Sequence, residues 1–93
     1  MGYYIQFDTA QGKADKIVEL YGGQKVTLAE AKQNIGNSSI AVIIVVDNGP
    51  FEAAAFAFDS DEFNAFTRAD DYRPKQFVLM NRNKAKELTN YKG

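Results

Sequence analysis

The chain has 93 residues and contains neither cysteine nor histidine. These absences exclude disulfides, thiolate and imidazole metal ligands, and the side chain that most often transfers protons near neutral pH. An enzyme of this sequence would depend on carboxylates, lysine, tyrosine or serine for its chemistry. We therefore expect a protein that is not an enzyme and that holds neither a metal nor a cofactor.

The chain also lacks an excess of charge. Its 11 basic and 12 acidic side chains give a net charge of -1, which does not attract nucleic acid or an anionic membrane. No apolar stretch approaches the roughly 20 residues that cross a bilayer. The length and the ordinary apolar fraction of 45% predict one small domain over residues 1–93, with no membrane partner.

The first half of the chain contains one predicted strand and two predicted helices. Residues 3–7 form a short aromatic strand candidate. Asp8 is the predicted N-cap of the first helix, with Gln11 three residues later to complete a capping box, and the helical pattern ends at Gly22-Gly23. Thr27 and Glu30 have the spacing of a reciprocal capping box, which predicts the start of a second helix. Its predicted inward-facing side chains are the apolar ones at helical spacing, Leu28, Ala31 and Ile35.

The second half of the chain predicts a hairpin over residues 39–58, a strand over 75–80 and two more helices. Asp59 and Asn81 are the predicted N-caps of those helices. The resulting order predicts a ferredoxin-like α+β sandwich of the β-α-β-β-α-β type. In it, helices cover mainly one face of an antiparallel sheet, and an extra helix follows at the C-terminus. A less regular α+β domain with the same elements is the alternative.

Asn48-Gly49 is the dipeptide that best supplies the two positive-φ residues of a tight hairpin turn. With that turn, Val46 pairs with Phe51, and side chains divide between two faces. The apolar face, which we expect to be the core, carries Ile40, Val42, Ile44, Val46, Phe51, Ala53, Ala55 and Ala57. The mixed face carries Ser39, Ala41, Ile43, Val45, Asp47, Glu52, Ala54, Phe56 and Phe58.

Helices on one side alone would leave the mixed face open, and an exposed apolar patch usually has a partner. The predicted binding residues of this face are Tyr4, Glu52, Phe56 and Phe58. Two other interpretations fit the same pattern. The last helix could cover the face, or a second copy of the chain could do so in a homodimer.

The polar loop over residues 68–75 is a second predicted contact surface. It combines charges with a tyrosine and a proline, and arginine and tyrosine are favoured interface anchors. Its predicted contact residues are Arg68, Asp70, Asp71, Tyr72, Arg73 and Lys75. Alternatively, an acidic residue caps a turn and pairs with Arg73, while Tyr72 covers the edge of the core.

The element order is similar to that of the RNA-recognition-motif domain, and residues 54–58 resemble its aromatic motif. This resemblance implies that Phe56 and Tyr4 stack on bases. Phe51 and Glu52 replace the basic residue and the glycine that begin the motif, and the hairpin has neither Lys nor Arg. Binding of a nucleotide or of single-stranded nucleic acid is therefore the alternative function.

Residues 46–54, 72–75 and 80–85 resemble segments of small accessory proteins of tailed bacteriophages. The resemblance covers the C-terminal half of the chain. It implies action in the host cytoplasm, where such proteins are often stoichiometric binders. The function that we expect is therefore a phage-encoded inhibitor that binds a host or anti-phage defence protein complex.

Overall fold

The structure is a computed structural model that describes the backbone of residues 3–8, 14–48, 51–68 and 75–89, and the side chains of 14–45, 54–67 and 75–89. Over these residues the chain forms five strands and four helices. In chain order they are β1 (Tyr3–Asp8), α1 (Ala14–Tyr21), β2 (Gln24–Val26), α2 (Leu28–Asn34), β3 (Ile40–Asn48), β4 (Phe51–Ala57), α3 (Ser60–Arg68), β5 (Lys75–Asn81) and α4 (Arg82–Thr89). The predicted α+β class and the C-terminal helix are confirmed.

Side-chain caps fix the first residues of three helices. At α2 the amide of Glu30 donates to Thr27 Oγ1 at 3.2 Å, and the amide of Thr27 donates to Glu30 Oε1 at 3.1 Å. At α3 the amide of Glu62 donates to Asp59 Oδ1 at 2.8 Å. At α4 the side-chain oxygen of Asn81 accepts from two backbone amides, at 2.9 and 3.2 Å. These bonds satisfy amides that have no partner within the helix, and the predicted caps Thr27, Asp59 and Asn81 are confirmed. Asp8 is the last residue of β1, and Gln11, its predicted partner in a capping box, lies outside the described residues.

Two glycines end α1 where the sequence predicts. Gly22 has a φ of 81° and Gly23 a φ of 113°, a region that other L-residues rarely adopt. A Cβ atom on Gly23 would also lie 2.6 Å from the carbonyl oxygen of Leu79. Glycine therefore allows the chain to leave α1 and immediately pair β2 with β5.

The strands lie in the order β1-β4-β3-β5-β2, and each neighbouring pair is antiparallel. In the β3–β4 hairpin Val46 pairs with Ala53, so the predicted pairing of Val46 with Phe51 is wrong. The described ladder ends with the pair Asn48 and Phe51. The shift is two residues along β4. Because side chains alternate with a period of two, every position keeps its predicted face.

Helices cover both faces of the sheet, which corrects the prediction that they lie mainly on one face. The antiparallel pairings make β1, β2 and β3 run one way and β4 and β5 the other. Connections between parallel strands of one sheet are right-handed. The connection from β1 to β2 crosses the sheet in one direction and the connection from β2 to β3 crosses it in the other. Their helices, α1 and α2, therefore lie on opposite faces. The connection from β4 to β5 joins strands that run opposite to β1 and β2, so its helix, α3, lies on the same face as α2.

The order of the strands explains this difference from the predicted sandwich. The elements remain consistent with the ferredoxin-like α+β class, in which the last strand lies beside the first. Here β5 instead pairs with β3, and the short strand β2 extends the sheet beyond β5. The connection from β4 to β5 therefore crosses the sheet in the same direction as the connection from β1 to β2, although its strands run the opposite way. Its helix, α3, consequently lies on the opposite face from α1.

Two hydrophobic clusters hold the layers together. On the α1/α4 face the buried residues are Ala14, Ile17, Ala41, Ile43, Val45, Ala54, Phe56, Phe58, Val78, Met80 and Ala85. On the α2/α3 face they are Ala31, Ile35, Val42, Ile44, Ala55, Ala57, Phe63 and Phe77. The central strand β3 contributes to both clusters, and this double burial explains why its sequence is apolar almost throughout.

Candidate binding surfaces

The sheet face that the sequence predicts as an open binding surface is covered. Phe56 is 1% exposed and Phe58 2% exposed, and both belong to the cluster beneath α1 and α4. The predictions that these two rings contact a partner and that Phe56 stacks on bases are therefore wrong. The cause is the strand order, which brings α1 and α4 over this face. The sequence left open whether a partner, a second copy or the last helix covers this face. The structure shows that the last helix, α4, contributes to the cover.

The strand register separates Tyr4 from the phenylalanines with which it was grouped. Tyr4 pairs with Ala55, a residue of the α2/α3 cluster, whereas Tyr3 pairs with Phe56. Because directly opposite residues of a ladder belong to the same face, the position of Tyr4 belongs to the α2/α3 face. Glu52 occupies the β4 position opposite Phe7. The side chains of Tyr4 and Glu52 lie outside the described residues.

The predicted contact loop is described only at its two ends. Arg68 is the last residue of α3, and Lys75 is the half-buried first residue of β5. Asp70, Asp71, Tyr72 and Arg73 lie outside the described residues, so their role as contacts stays a prediction.

A small polar cleft forms where β3 begins and β5 passes into α4. It has a volume of about 170 Å³ and is lined by Ser38, Ser39, Asn81, Arg82 and Asn83. The backbone amide of Arg82 donates to the carbonyl of Ser39 at 2.9 Å, which joins the two sides of the cleft. Hydroxyl, amide and guanidinium groups in this lining can hydrogen-bond water or a small anion. The lining contains no carboxylate that could act as a general base.

The guanidinium of Arg82 has an apolar neighbour as well. Its central carbon lies 5.5 Å from the centroid of the Phe58 ring, within the range of a cation–π contact. The side-chain oxygen of Asn81 already accepts from the first amides of α4. The cleft is therefore a polar groove in which Asn81 Oδ1 and the Arg82 guanidinium both have partners within the protein.

The clearest apolar exposure lies beside the sheet edge formed by β2. Leu20 is 47% exposed and Leu28 is 43% exposed, and they are the large exposed hydrophobic residues of the described part of the chain. Leu20 lies in the last turn of α1 and Leu28 is the first residue of α2, so the two leucines flank β2 in sequence. The prediction that Leu28 faces inward is wrong, although Ala31 and Ile35 are buried as expected.

We call Leu20, Gln24, Lys25 and Leu28 the β2 edge surface. Over the described residues β2 pairs only with β5, so its second edge presents backbone N–H and C=O groups. Lys25 Nζ lies 3.0 Å from Asp15 Oδ1, and both side chains are largely exposed. Such a surface ion pair contributes at most about 1 kcal/mol. This strand could not be predicted from the sequence, because three residues with a central lysine show no alternation of apolar and polar side chains.

The β2 edge surface is continuous with one end of the predicted contact loop. The β2–β5 ladder ends with the pair Val26 and Phe77. Lys75 precedes Phe77 by two residues and therefore lies at the end of the sheet where α2 begins with Leu28. Leu28 and Lys75, which are far apart in sequence, thus lie at the same end of the sheet.

Among the described residues, no group of three or more Asp, Glu, His or Cys side chains could hold a metal ion. None of the helices that the structure describes is long and apolar enough to cross a membrane. Compared with known proteins, the chain matches no family model, no curated protein and no solved structure.

Proposed function

We propose that the chain is a small non-catalytic domain that acts by binding another protein. Following the resemblance of its C-terminal half to phage accessory proteins, we propose a phage-encoded inhibitor that acts in the host cytoplasm on a host or defence protein complex. The observation that supports a binding role is the β2 edge surface, where two exposed leucines flank in sequence a strand that, over the described residues, pairs on one side alone.

Each part of the β2 edge surface has a distinct use in recognition. The outer edge of β2 offers main-chain hydrogen bonds to an extended segment of the partner, as in β-strand addition. Alternate side chains of that segment would point to the two sides of the sheet, toward Leu20 on α1 and Leu28 on α2. Burial of these leucines by the partner removes apolar surface from water and stabilises the complex. Lys25 favours a partner segment that carries an acidic residue.

The buried position of Phe56 argues against the alternative function, the binding of a nucleotide or of single-stranded nucleic acid. This function depends on Phe56 and Tyr4 as stacking residues on one sheet face. Phe56 is buried beneath the helices, and the position of Tyr4 belongs to the other face of the sheet. A stacking platform made of these two residues is incompatible with this fold.

The proposal is tested by rebuilding the complex from purified parts. Tagged protein first captures its partner from a nuclease-treated bacterial lysate, and the partner is then identified, purified and titrated by calorimetry. We expect a stoichiometric complex that inhibits the partner. Leu20→Asp and Leu28→Asp should each weaken its affinity by about tenfold or more, since anchor residues contribute over 1 kcal/mol each.

The matched control is Gln33→Asp, which adds the same charge at an exposed position of α2 outside the β2 edge surface. It should leave the affinity unchanged. Arg73→Ala separately tests the predicted loop and should weaken the same complex. Recovery of nucleic acid alone, or a rebuilt complex that none of the leucine variants weakens, would contradict the proposal.

A further inference from the structure

The five-stranded sheet has two edges of very different chemistry. One is β2, with three residues and a central lysine. The other is β1, with six residues, which over the described part of the chain pairs only with β4. Along an edge strand, alternate residues direct their backbone N–H and C=O groups away from the paired neighbour. β1 is therefore the longer template for pairing with a further strand.

Proteins usually protect a sheet edge by shortness, by lysine or by proline. β2 has the first two of these features. β1 has none of them: its sequence is Tyr-Tyr-Ile-Gln-Phe-Asp, and its single charge, Asp8, stands at the last position. β-branched and aromatic residues of this kind are those enriched in paired strands. The sequence of β1 is that of an internal strand, although its place in the order is an edge.

We propose that β1 pairs with β1 of a second copy of this chain, in antiparallel orientation, to join two five-stranded sheets into one of ten strands. A two-fold axis perpendicular to the sheet generates this arrangement, and it requires one residue of β1 to face its own copy. With the axis at Ile5, Tyr3 of one copy faces Phe7 of the other, and Tyr4 faces Gln6. Asp8 lies outside the paired positions.

The charge pattern favours pairing of β1 with β1 of a second copy and disfavours pairing of β2 with β2. In the β1 pairing no charged residue faces another, and aromatic and β-branched pairs across antiparallel strands are favourable. If β2 paired with its own copy over all three residues, Lys25 would face Lys25, which is unfavourable. The net charge of -1 for each chain adds little repulsion to the β1 pairing. In addition, α4 contacts β1, so the α4 helices of two copies would flank the axis on the same face.

The absence of native cysteine makes the register directly testable. In the variant Ile5→Cys, the new thiol of each copy would face its counterpart at Cβ separations of about 4.5–5.5 Å, within reach of a short bismaleimide. We expect light scattering to give twice the chain mass of 10.3 kDa, and Ile5→Cys to cross-link efficiently. Gln6→Cys, one position from the axis, should cross-link more slowly, and Lys25→Cys on the other edge should not cross-link.

Ile5→Lys would place two ammonium groups opposite each other at the axis and should yield monomers. If this variant does not fold, the cross-linking pattern of the cysteine variants still decides the question. A wild-type protein that remains monomeric up to millimolar concentration overturns the proposal. A dimer that cross-links through Lys25→Cys but not through Ile5→Cys also overturns it.

Discussion

Arg82 and Phe58 lie against each other, with the guanidinium carbon 5.5 Å from the ring centroid. The ring belongs to the α1/α4 cluster, and its residue connects β4 to α3 through a backbone amide that donates to Glu62 Oε1 at 2.9 Å. Arg82 begins α4, the helix that closes the same face of the sheet. One contact thus joins the hairpin, α3 and the last helix at the end of the core.

Replacement of Arg82 by alanine should lower the free energy of unfolding by about 0.5–1 kcal/mol, the range of a partly exposed cation–π contact. Arg82→Lys should retain part of this energy, because the cation is kept while the planar stacking group is lost. Urea denaturation measures both changes. Phe58→Leu is the partner in a double-mutant cycle, and a coupling energy near zero would show that the two groups do not interact.

Phe56→Ala should lower the free energy of unfolding by about 3–5 kcal/mol, because it removes a ring from a closed core and leaves a cavity. Phe56 is 1% exposed, so the loss arises in the isolated protein without any partner. Leu20→Ala, at an exposed position, is the control and should change stability by less than about 0.5 kcal/mol. Thermal melts that show the opposite order would mean that this sheet face is open in solution.

The two glycines after α1 should respond differently to alanine. Gly22→Ala places a Cβ in open space at a φ of 81°, and we expect a loss of about 1–2 kcal/mol from the left-handed backbone alone. Gly23→Ala adds a Cβ 2.6 Å from the carbonyl oxygen of Leu79. This variant should lose more stability and weaken the pairing of β2 with β5. Chemical denaturation and amide exchange of Lys25 compare the two variants.

The capping box of α2 can be measured with local variants. Thr27→Ala removes the acceptor of the Glu30 amide and should lower stability by about 0.5–2 kcal/mol. Thr27→Ser keeps a hydroxyl at the same place and is the matched control. If alanine and serine give equal midpoints of urea denaturation, the hydrogen bond contributes nothing to stability.

The features that could be predicted from the sequence are those with a local cause. Thr27, Asp59 and Asn81 cap helices by reaching amides two or three residues away, and Gly22-Gly23 supplies positive φ angles at one point of the chain. The division of the hairpin residues between two faces also depends only on the period of two. It therefore survived a register error of two residues.

The features that could not be predicted depend on the order of the strands. No local signal states that β5 lies beside β3, yet this pairing sends α3 to one face and leaves the other to α1 and α4. One clue was present in the sequence. Residues 41–45 are uniformly apolar, whereas a strand with one open face alternates. This uniform run predicts burial on both sides and would have argued against an exposed Phe56.

The candidate site was predictable to an even smaller degree. Helical spacing predicts that Leu28 faces inward, but Leu28 is the first residue of α2 and is exposed, whereas Ala31 and Ile35 are buried. The exposure of Leu28 depends on where β2 positions the start of α2. A strand of three residues is too short to be predicted from the sequence. The loop over residues 68–75 was found from composition. The position of its last residue, Lys75, at the end of the sheet where α2 begins follows only from the β2–β5 ladder.

The strand order also determines how many partners one assembly can hold. β1 and β2 are the two outermost strands, so a dimer joined at β1 carries its two β2 edges at opposite ends of ten strands. Nine spacings of about 4.8 Å separate them, or about 43 Å. Such an assembly is bivalent, with two identical edges related by a two-fold axis. Against a target with its own two-fold symmetry and matching spacing, it would bind with avidity far beyond the affinity of one edge.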